Sequence, residues 1–493
     1  MAAPDDPDTV STPFIEKSSP GDGRPPRRLC AAAALLAFSA PFHFGFQLVL
    51  TNPAQEGFIS FLNDSWRQTH NEILEQHDLE VIWSLIVSGM FAGSLLGAFL
   101  IRCLADGVGR RRAVQLAAAA QAAACSLAIA SFFLNSYILY AISRFIFGFF
   151  MAIGLGCAPM FLSEASPKAC RGVISLSTGI VLQGSIIVSS VLAMPQMLGT
   201  RSSWWLLYAF SLAIFLVVLV LLPLLPESPT MLASRGRREE TARSIAFFHS
   251  LRGSQLHEAV NEAFDQAACS QQLLGLLELW RDSAIRGRAL AGCVVMFAMI
   301  SSGIVVINGY VVSILMNVGL TSFQAAMANI AISSLMLTGS LTSAAVVDRF
   351  GRRPLLLATL AMVIIANCLI ALLMHLFEQT SKLWLGYSLV GVVCVFAFVF
   401  AAGPGPLSFF ITAELLPSHA RAAAMTWANV VMAAVRALLL AMYLPLSSFL
   451  GGALCYFLLF VPPIIGAFIF LYKKLPETKN STASSVEKDT GKR

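Results

Sequence analysis

The chain has 493 residues, 57% of them hydrophobic and 12% charged, with a formal net charge of +6. Ordinary soluble domains carry about a quarter charged residues, and a soluble chain this apolar would expose large adhesive patches. A transmembrane β-barrel is also excluded: its strands are about 10 residues long and alternating, whereas unbroken apolar runs occur here, such as AAAALLAFSAPFHFGFQLVL from Ala31.

Residues 1–28 are polar and begin MAAPDDPDTV, unlike a cleaved signal peptide, and read as a cytoplasmic tail. Apolar spans follow at 29–50, 80–101, 113–134, 137–162, 173–195 and 203–224, then at 289–316, 323–347, 354–377, 384–411, 422–446 and 449–472. That gives about 12 helices of bilayer length. The interval 51–79 is polar. The interval 225–288 is polar and Arg-rich, and REETARSIAFFHSL within it has helical periodicity, which predicts short amphipathic helices. Residues 473–493 form a second polar tail. The fold class is an all-α polytopic membrane protein of two six-helix halves, 29–224 and 289–472, joined by a linker.

Alternate loops share the basic residues unevenly. One side holds Arg110, Arg111, Arg112, Lys168, Arg171, Arg235, Arg237, Arg238, Arg349, Arg352, Arg353, Arg421, Lys473 and Lys474; the other holds Arg67, Arg201 and Lys382. The positive-inside rule makes the basic side, and with it both termini, cytoplasmic. Asn63-Asp64-Ser65 is then a glycosylation sequon on the outer face, while Asn480-Ser481-Thr482 falls inside, where it stays bare. The ten cysteines lie in spans or on the cytoplasmic side and form no CxxC pair, so neither a structural disulfide nor a metal site is expected. No cofactor is expected, and no nucleophile–base pair suggests an enzyme.

The halves echo each other. DGVGRR from Asp106 matches DRFGRR from Asp348, and SEASPKACR matches AELLPSHAR. Glu164 and Glu414, Arg171 and Arg421, and Pro226 of PESP and Pro476 of PETK all stand at one common separation. Duplication of a six-helix unit marks secondary transporters whose halves rock about a midplane site. The repeated charges are expected to latch the inner ends of the two halves when the cavity faces outward and to part when it opens inward: Glu164 and Glu414 against Arg110, Arg111, Arg352 or Arg353, joined by Arg171 and Arg421. Simple positive-inside anchoring with helix capping is the alternative.

With these motifs in view, the chain resembles the sugar-transporter branch of the major facilitator superfamily, and within it eukaryotic facilitative glucose transporters. The resemblance rests on FHFGFQLVLTNPAQ, SRFIFGFFMAIGLGCAPMFLSEASPKACRG, LLPLLPESPTML, VVDRFGRRPL, GPGPLSFFITAEL and PETK, and runs from about residue 29 to 479. It implies the major facilitator fold and alternating-access transport of a hexose or related solute. Where the family holds substrate, the sequence departs. The seventh-span glutamine positions fall on Met299 and Ile300, an asparagine position on Val305, an eighth-span asparagine on Met336, and a fifth-span glutamine on Gly179, with Gln183 one turn later. Ser408 and Phe409 stand where the family has Pro-Trp, and Ala401 where it has glutamate. A drier, more apolar site than a standard hexose site follows.

Candidate substrate-binding residues are His43, Gln47, Gln183, Asn308, Phe409, Asn429 and Arg436, with Tyr310 near them. His43 reads as a neutral hydrogen-bonding cavity residue or a proton carrier. No carboxylate is expected at mid-membrane depth. Proton-coupled members of the superfamily carry an aspartate just after Phe-Gly-Tyr in the first span; here the stretch is Phe44-Gly45-Phe46-Gln47, which argues for uniport. Arg144 reads as a snorkelling or helix-bridging arginine, and Trp427 as packing or an interface anchor. Gly403, Pro404, Gly405 and Pro406 interrupt the tenth span as a hinge or a static kink. Arg436 lies roughly 21 Å into the eleventh span at 1.5 Å per residue, where the family usually has asparagine. It pairs with helix carbonyls, binds an anionic substrate, or holds a water network. The functions that remain open are a facilitative hexose or polyol transporter, a uniporter of an anionic urate- or ascorbate-like solute, and a non-transporting sensor. The partners expected are a small solute and the lipid bilayer, with no nucleic acid; the oligomeric state is open.

Overall fold

The computed structural model describes residues 26–72, 74–167, 170–269, 275–281, 283–416 and 418–476. Of the expected tails, residues 1–25 and 477–493, with Asn480, lie outside them. The first span is split into α1 (Arg27–Ser39) and α2 (Pro41–Val49). After it come α3 (Gln55–His70), α4 (Gln76–Val108), α5 (Arg110–Phe133), α6 (Tyr137–Ala165), α7 (Arg171–Leu192) and α8 (Trp205–Leu221). The linker carries α9 (Pro229–Ser234), α10 (Arg238–His249) and α11 (Ser254–Cys269). The seventh span is split into α12 (Ser283–Ile300) and α13 (Ile304–Asn317). Then follow α14 (Ser322–Phe350), α15 (Arg352–Thr380), the split tenth span α16 (Leu383–Ala402) and α17 (Pro404–Glu414), α18 (Ser418–Leu450) and α19 (Gly452–Lys474). Among the described residues there is no strand. Among the described residues, eleven helical segments are long and apolar enough to cross a bilayer, and Ser177–Leu192 of α7 is a shorter apolar one. The protein is an integral, multi-pass membrane protein of the all-α class.

Packing inside the first half relies on small residues, because lipid offers no hydrophobic drive between helices and close backbone approach must supply the contact. A Cβ on Gly93 or Gly97 of α4 would lie 2.2 or 2.1 Å from the carbonyl oxygens of Phe145 or Phe149 on α6. Across the seam, α18 packs along α4, and α14 against α7. The polar interval after the first span contains α3, whose Phe58 and Phe61 pack on Trp204 at 4.8 and 5.0 Å. The linker helices sit against the basic end of the first half: Phe248 of α10 is fully buried beside Phe161 of α6.

Two breaks have visible causes. Gly303 adopts φ +96°, a left-handed conformation that glycine takes without strain. The carbonyl of Ser302 is thereby freed and accepts from Asn367 Nδ2 at 2.8 Å; the Tyr456 hydroxyl donates to Asn367 Oδ1 at 2.8 Å. At Gly403 a Cβ would meet Thr359 Oγ1 of α15 at 2.1 Å, so only glycine allows α15 to pass. Pro404 then starts α17 at a position where no amide hydrogen is required.

Asn367 is fully buried. Asn367→Leu is expected to strand the Ser302 carbonyl and cost about 1–3 kcal/mol; a clear fall in thermal unfolding temperature in detergent checks this, and an unchanged temperature contradicts it.

Candidate functional site

The residues singled out from the sequence distribute unevenly around the seam between the halves. His43 does not reach it. Its side chain is fully buried, stacks on Phe215 of α8 with ring centroids 3.5 Å apart, and makes no hydrogen bond through either ring nitrogen. Gln47, one helical turn on, is also turned into its own half. Its Oε1 accepts from Arg144 Nη1 at 2.9 Å. These placements correct the expectation that His43 and Gln47 line the cavity, and they make Arg144 a bridge between α6 and α2. Hydropathy could not have shown it: the first span is polar on one face, and the rings of α8 make that face the inner one.

Gln183 of α7 is buried, and its Nε2 has no hydrogen bond. Phe409 of α17 is partly exposed, and Asn429 of α18 is half-buried. Met299, Ile300, Val305 and Met336, which occupy the family's amide positions, are all buried. Tyr310 stacks on Tyr443, and its hydroxyl donates to the Leu440 carbonyl at 3.1 Å.

One end of the seam is sealed by polar contacts. Asn52, at the end of the first span and fully buried, donates through Nδ2 to the carbonyls of Ile307 (3.3 Å) and Asn308 (3.1 Å), and accepts at Oδ1 from the Val312 amide at 3.0 Å. Asn308 thus enters the seal through its backbone. Ser313 donates to Gln55 Oε1 at 2.6 Å, Asn329 Nδ2 to Ser190 Oγ at 3.1 Å, and His77 Nδ1 meets Ser448 Oγ at 2.9 Å. All join one half to the other at the end that carries α3. Above the seal lies a vestibule of about 390 Å³, with Asn52, Tyr310 and Tyr443 among its walls and Glu56, Glu80 and Glu378 on its polar side.

The repeated charged motifs occupy the opposite, basic end. Arg110 Nε binds Glu164 Oε1 at 3.2 Å, and Arg110 Nη1 binds Asp106 at 2.9 Å. Glu164 also accepts from the Ser228 hydroxyl, and Glu227 accepts from the Arg111 amide at 2.8 Å. In the second half Arg352 Nη2 pairs with Glu414 at 3.4 Å, and Arg353 donates to the Tyr472 carbonyl at 2.9 Å. In this structure, whose α3 end is closed, these pairs join helix ends within one half; the latch is expected to form when the cavity faces the other way. The reason for the pairing within a half is geometric, since each motif sits at the short turn between consecutive helices and finds its partner on the next turn of the same half. The side chains of Arg171 and Arg421 lie outside the described residues. Trp427 donates to the Leu276 carbonyl of the linker at 3.0 Å and packs edge-on with Trp280 and Phe99.

Arg436 sits on α18 within the seam. It is 6% exposed, and its guanidinium carbon stands over the rings of Phe44 (5.7 Å) and Phe91 (5.2 Å), both from the first half. Its Nε and Nη1 have no hydrogen-bond partner in the protein. The reading that these atoms bind helix carbonyls therefore fails.

The family profile described as "Sugar (and other) transporter" matches residues 32–489. The chain belongs to this family. It is 28% identical over 479 residues to the orangutan (Pongo abelii) solute carrier family 2, facilitated glucose transporter member 9, covering 94% of this chain and 81% of that one. With the mouse (Mus musculus) member 4 it shares 30% over 481 residues, covering 94% and 92%. The inward-open structure of the E. coli xylose transporter XylE superposes with a TM-score of 0.75 at 18% identity, covering 93% and 99% of the two chains. The major facilitator fold is thus shown, as is membership of the sugar-transporter branch. Members of this family are transporters, not enzymes.

Within this frame the sequence reading passed over Asn52, Gln55, Asn329 and Asn367. Each is an amide near a span end or in a span, and an amide in a bilayer needs a partner; that was the available signal. At about 1 kcal/mol per hydrogen bond, Asn52→Ala should loosen the sealed end. A cysteine placed at Val312 should then react with an impermeant maleimide several-fold faster in the Asn52→Ala background, above the native cysteines; an equal rate contradicts the seal.

Proposed function

We propose that the protein is a facilitative transporter, a uniporter, that moves a hexose or a related small solute by alternating access. The observation that carries uniport is the Gln47–Arg144 contact. Proton coupling needs a group that titrates, and an amide side chain does not. Gln47 stands at the position where the proton-coupled members resembled by this sequence carry aspartate. One solved structure of the same fold is described as a proton:xylose symporter, but a shared fold does not transfer coupling.

Alternating access follows from an interface held by polar contacts at one end and by α4–α18 packing along its length. The staples Arg110–Glu164 and Arg352–Glu414 hold each half as a unit, so that the halves rock as bodies rather than shearing helix by helix. The break at Gly403–Pro404 provides the bend in the tenth span. By the positive-inside rule the basic end and both termini face the cytoplasm, the α3 end faces outward, and the plasma membrane is the natural location. Asn63 then carries a glycan. Ser65 of the sequon is buried, its hydroxyl bonded to the Asn135 carbonyl at 2.7 Å, so attachment precedes the docking of α3.

Two outcomes are expected. Purified protein in liposomes takes up labelled solute to equilibrium, and an inward proton gradient does not raise the plateau; proton-driven accumulation overturns uniport. In cells, Asn63→Gln removes the mobility shift produced by a glycosidase; a shift that persists contradicts the glycan at Asn63.

A further inference from the structure

Three observations at Arg436 do not fit a site for a neutral polyol. First, a buried arginine is expensive unless an anion or a set of acceptors meets it. Here Nε and Nη1 are buried without a hydrogen bond. Second, among the described residues the ion pairs found place their carboxylates near helix ends or in the linker, such as Asp106, Glu164, Glu414 and Glu378, and none joins Arg436. Third, the guanidinium carbon stands over two aromatic rings. Cation–π contact offsets part of the burial cost but satisfies no N–H donor. The protein thus offers a desolvated cation with donors free and apolar rings beside it. Phe44 and Phe91 belong to the first half and Arg436 to the second, so whatever binds there bridges the two moving bodies.

We propose that Arg436 is the receptor for the charge of a small organic anion with a flat ring and delocalised oxygens, such as an enolate or carboxylate, and that the transported solute belongs to this class. This rests on the uniport reading and, within it, takes the solute to be an anion in place of a hexose. The anion's oxygens take the free Nε–H and Nη1–H, while its ring lies against Phe44 or Phe91. Asn429, seven residues earlier on α18 and hence on the same face two turns away, is placed to meet the far side of the solute. Neutralising the guanidinium weakens its attraction to the two rings, so loading loosens the contact that holds the halves together at this level. Met299, Ile300, Val305 and Met336, buried at the family's amide positions, cannot give the hydrogen bonds that many hydroxyls need. Glu56, Glu80 and Glu378 in the vestibule repel an anion arriving from the α3 end, an effect that salt screens.

The test uses full-length protein in liposomes, with labelled urate, ascorbate, glucose and fructose offered in parallel. Wild type is expected to take up at least one of the two anions saturably. A uniporter moves the anion's charge uncompensated, so an inside-positive potential set with potassium and valinomycin should speed that uptake. Arg436→Asn should lower the anion-to-hexose uptake ratio at least tenfold, and Arg436→Lys less. Its folding is checked by a monodisperse elution peak and a thermal transition no lower than wild type, since an unsatisfied cation has been removed; if the Asn variant fails this check, the Lys variant is read alone and should still lower the ratio. Hexose uptake with neither anion carried overturns this inference and leaves uniport standing. Uptake of none of the four by folded protein overturns the transporter reading itself. An unchanged ratio in the folded Asn variant overturns the role of Arg436. Hexose uptake that requires chloride over gluconate makes the site one for an inorganic anion, and likewise overturns the proposal.

Discussion

When the seventh span breaks at Gly303, the carbonyl of Ser302 loses its helical partner, and Asn367 has to supply the missing donor. Inside a bilayer no water is available for that purpose, and an unsatisfied backbone group costs several kcal/mol. This constraint shapes much of the molecule. Asn52 meets the same demand inside α13, past its first turn, where it bonds the carbonyls of Ile307 and Asn308 and takes the Val312 amide. Asn367 and Asn52 thus serve the seventh span at two separate points, one at the break and one within the helix that follows it.

The charged motifs obey the same rule at the basic end. Asp106, Arg110, Glu164, Ser228 and Glu227 form one connected set of ion pairs and hydrogen bonds that ties α4, α5, α6 and the start of the linker. Glu227 takes the Arg111 amide in the first turn of α5, where a carboxylate meets both an orphan donor and the positive end of the helix dipole. The second half repeats the arrangement through Arg352 and Glu414. Duplicated sequence therefore yields duplicated staples, while amides, hydroxyls, aromatic rings, His77 and Arg436 make the contacts described across the seam. Those contacts are individually weak and geometrically strict, which suits an interface that must open and close.

Arg436 stands at the seam with both Nε and Nη1 unpartnered, whereas Arg144 finds Gln47, Tyr140 finds Tyr208 and Asn329 finds Ser190. In a native interior, most buried polar atoms have partners. Arg436 leaves two nitrogens without one where the two halves meet.

The sequence by itself determined the class, the spans and the family. Bilayer thickness imposes a length on every crossing helix, and the repeated motifs carry the duplication in plain text. It also carried the interruption at Gly403–Pro404, because proline and glycine act locally. It did not reveal that the first and seventh spans are broken at Ala40 and at Ser301–Gly303, nor that α3 folds in the polar interval. Only the tertiary structure decided which way each polar side chain turns. His43 and Gln47 face inward because Phe215 and Arg144 meet them there. The arginine–glutamate pairs close within each half because the turns that carry them are neighbours in space. Asn52 is a seal and Arg436 a free cation because of what the opposite half presents to them. Periodicity gives a residue a helix face; the partner on that face comes from a segment hundreds of residues away, and no local rule encodes it.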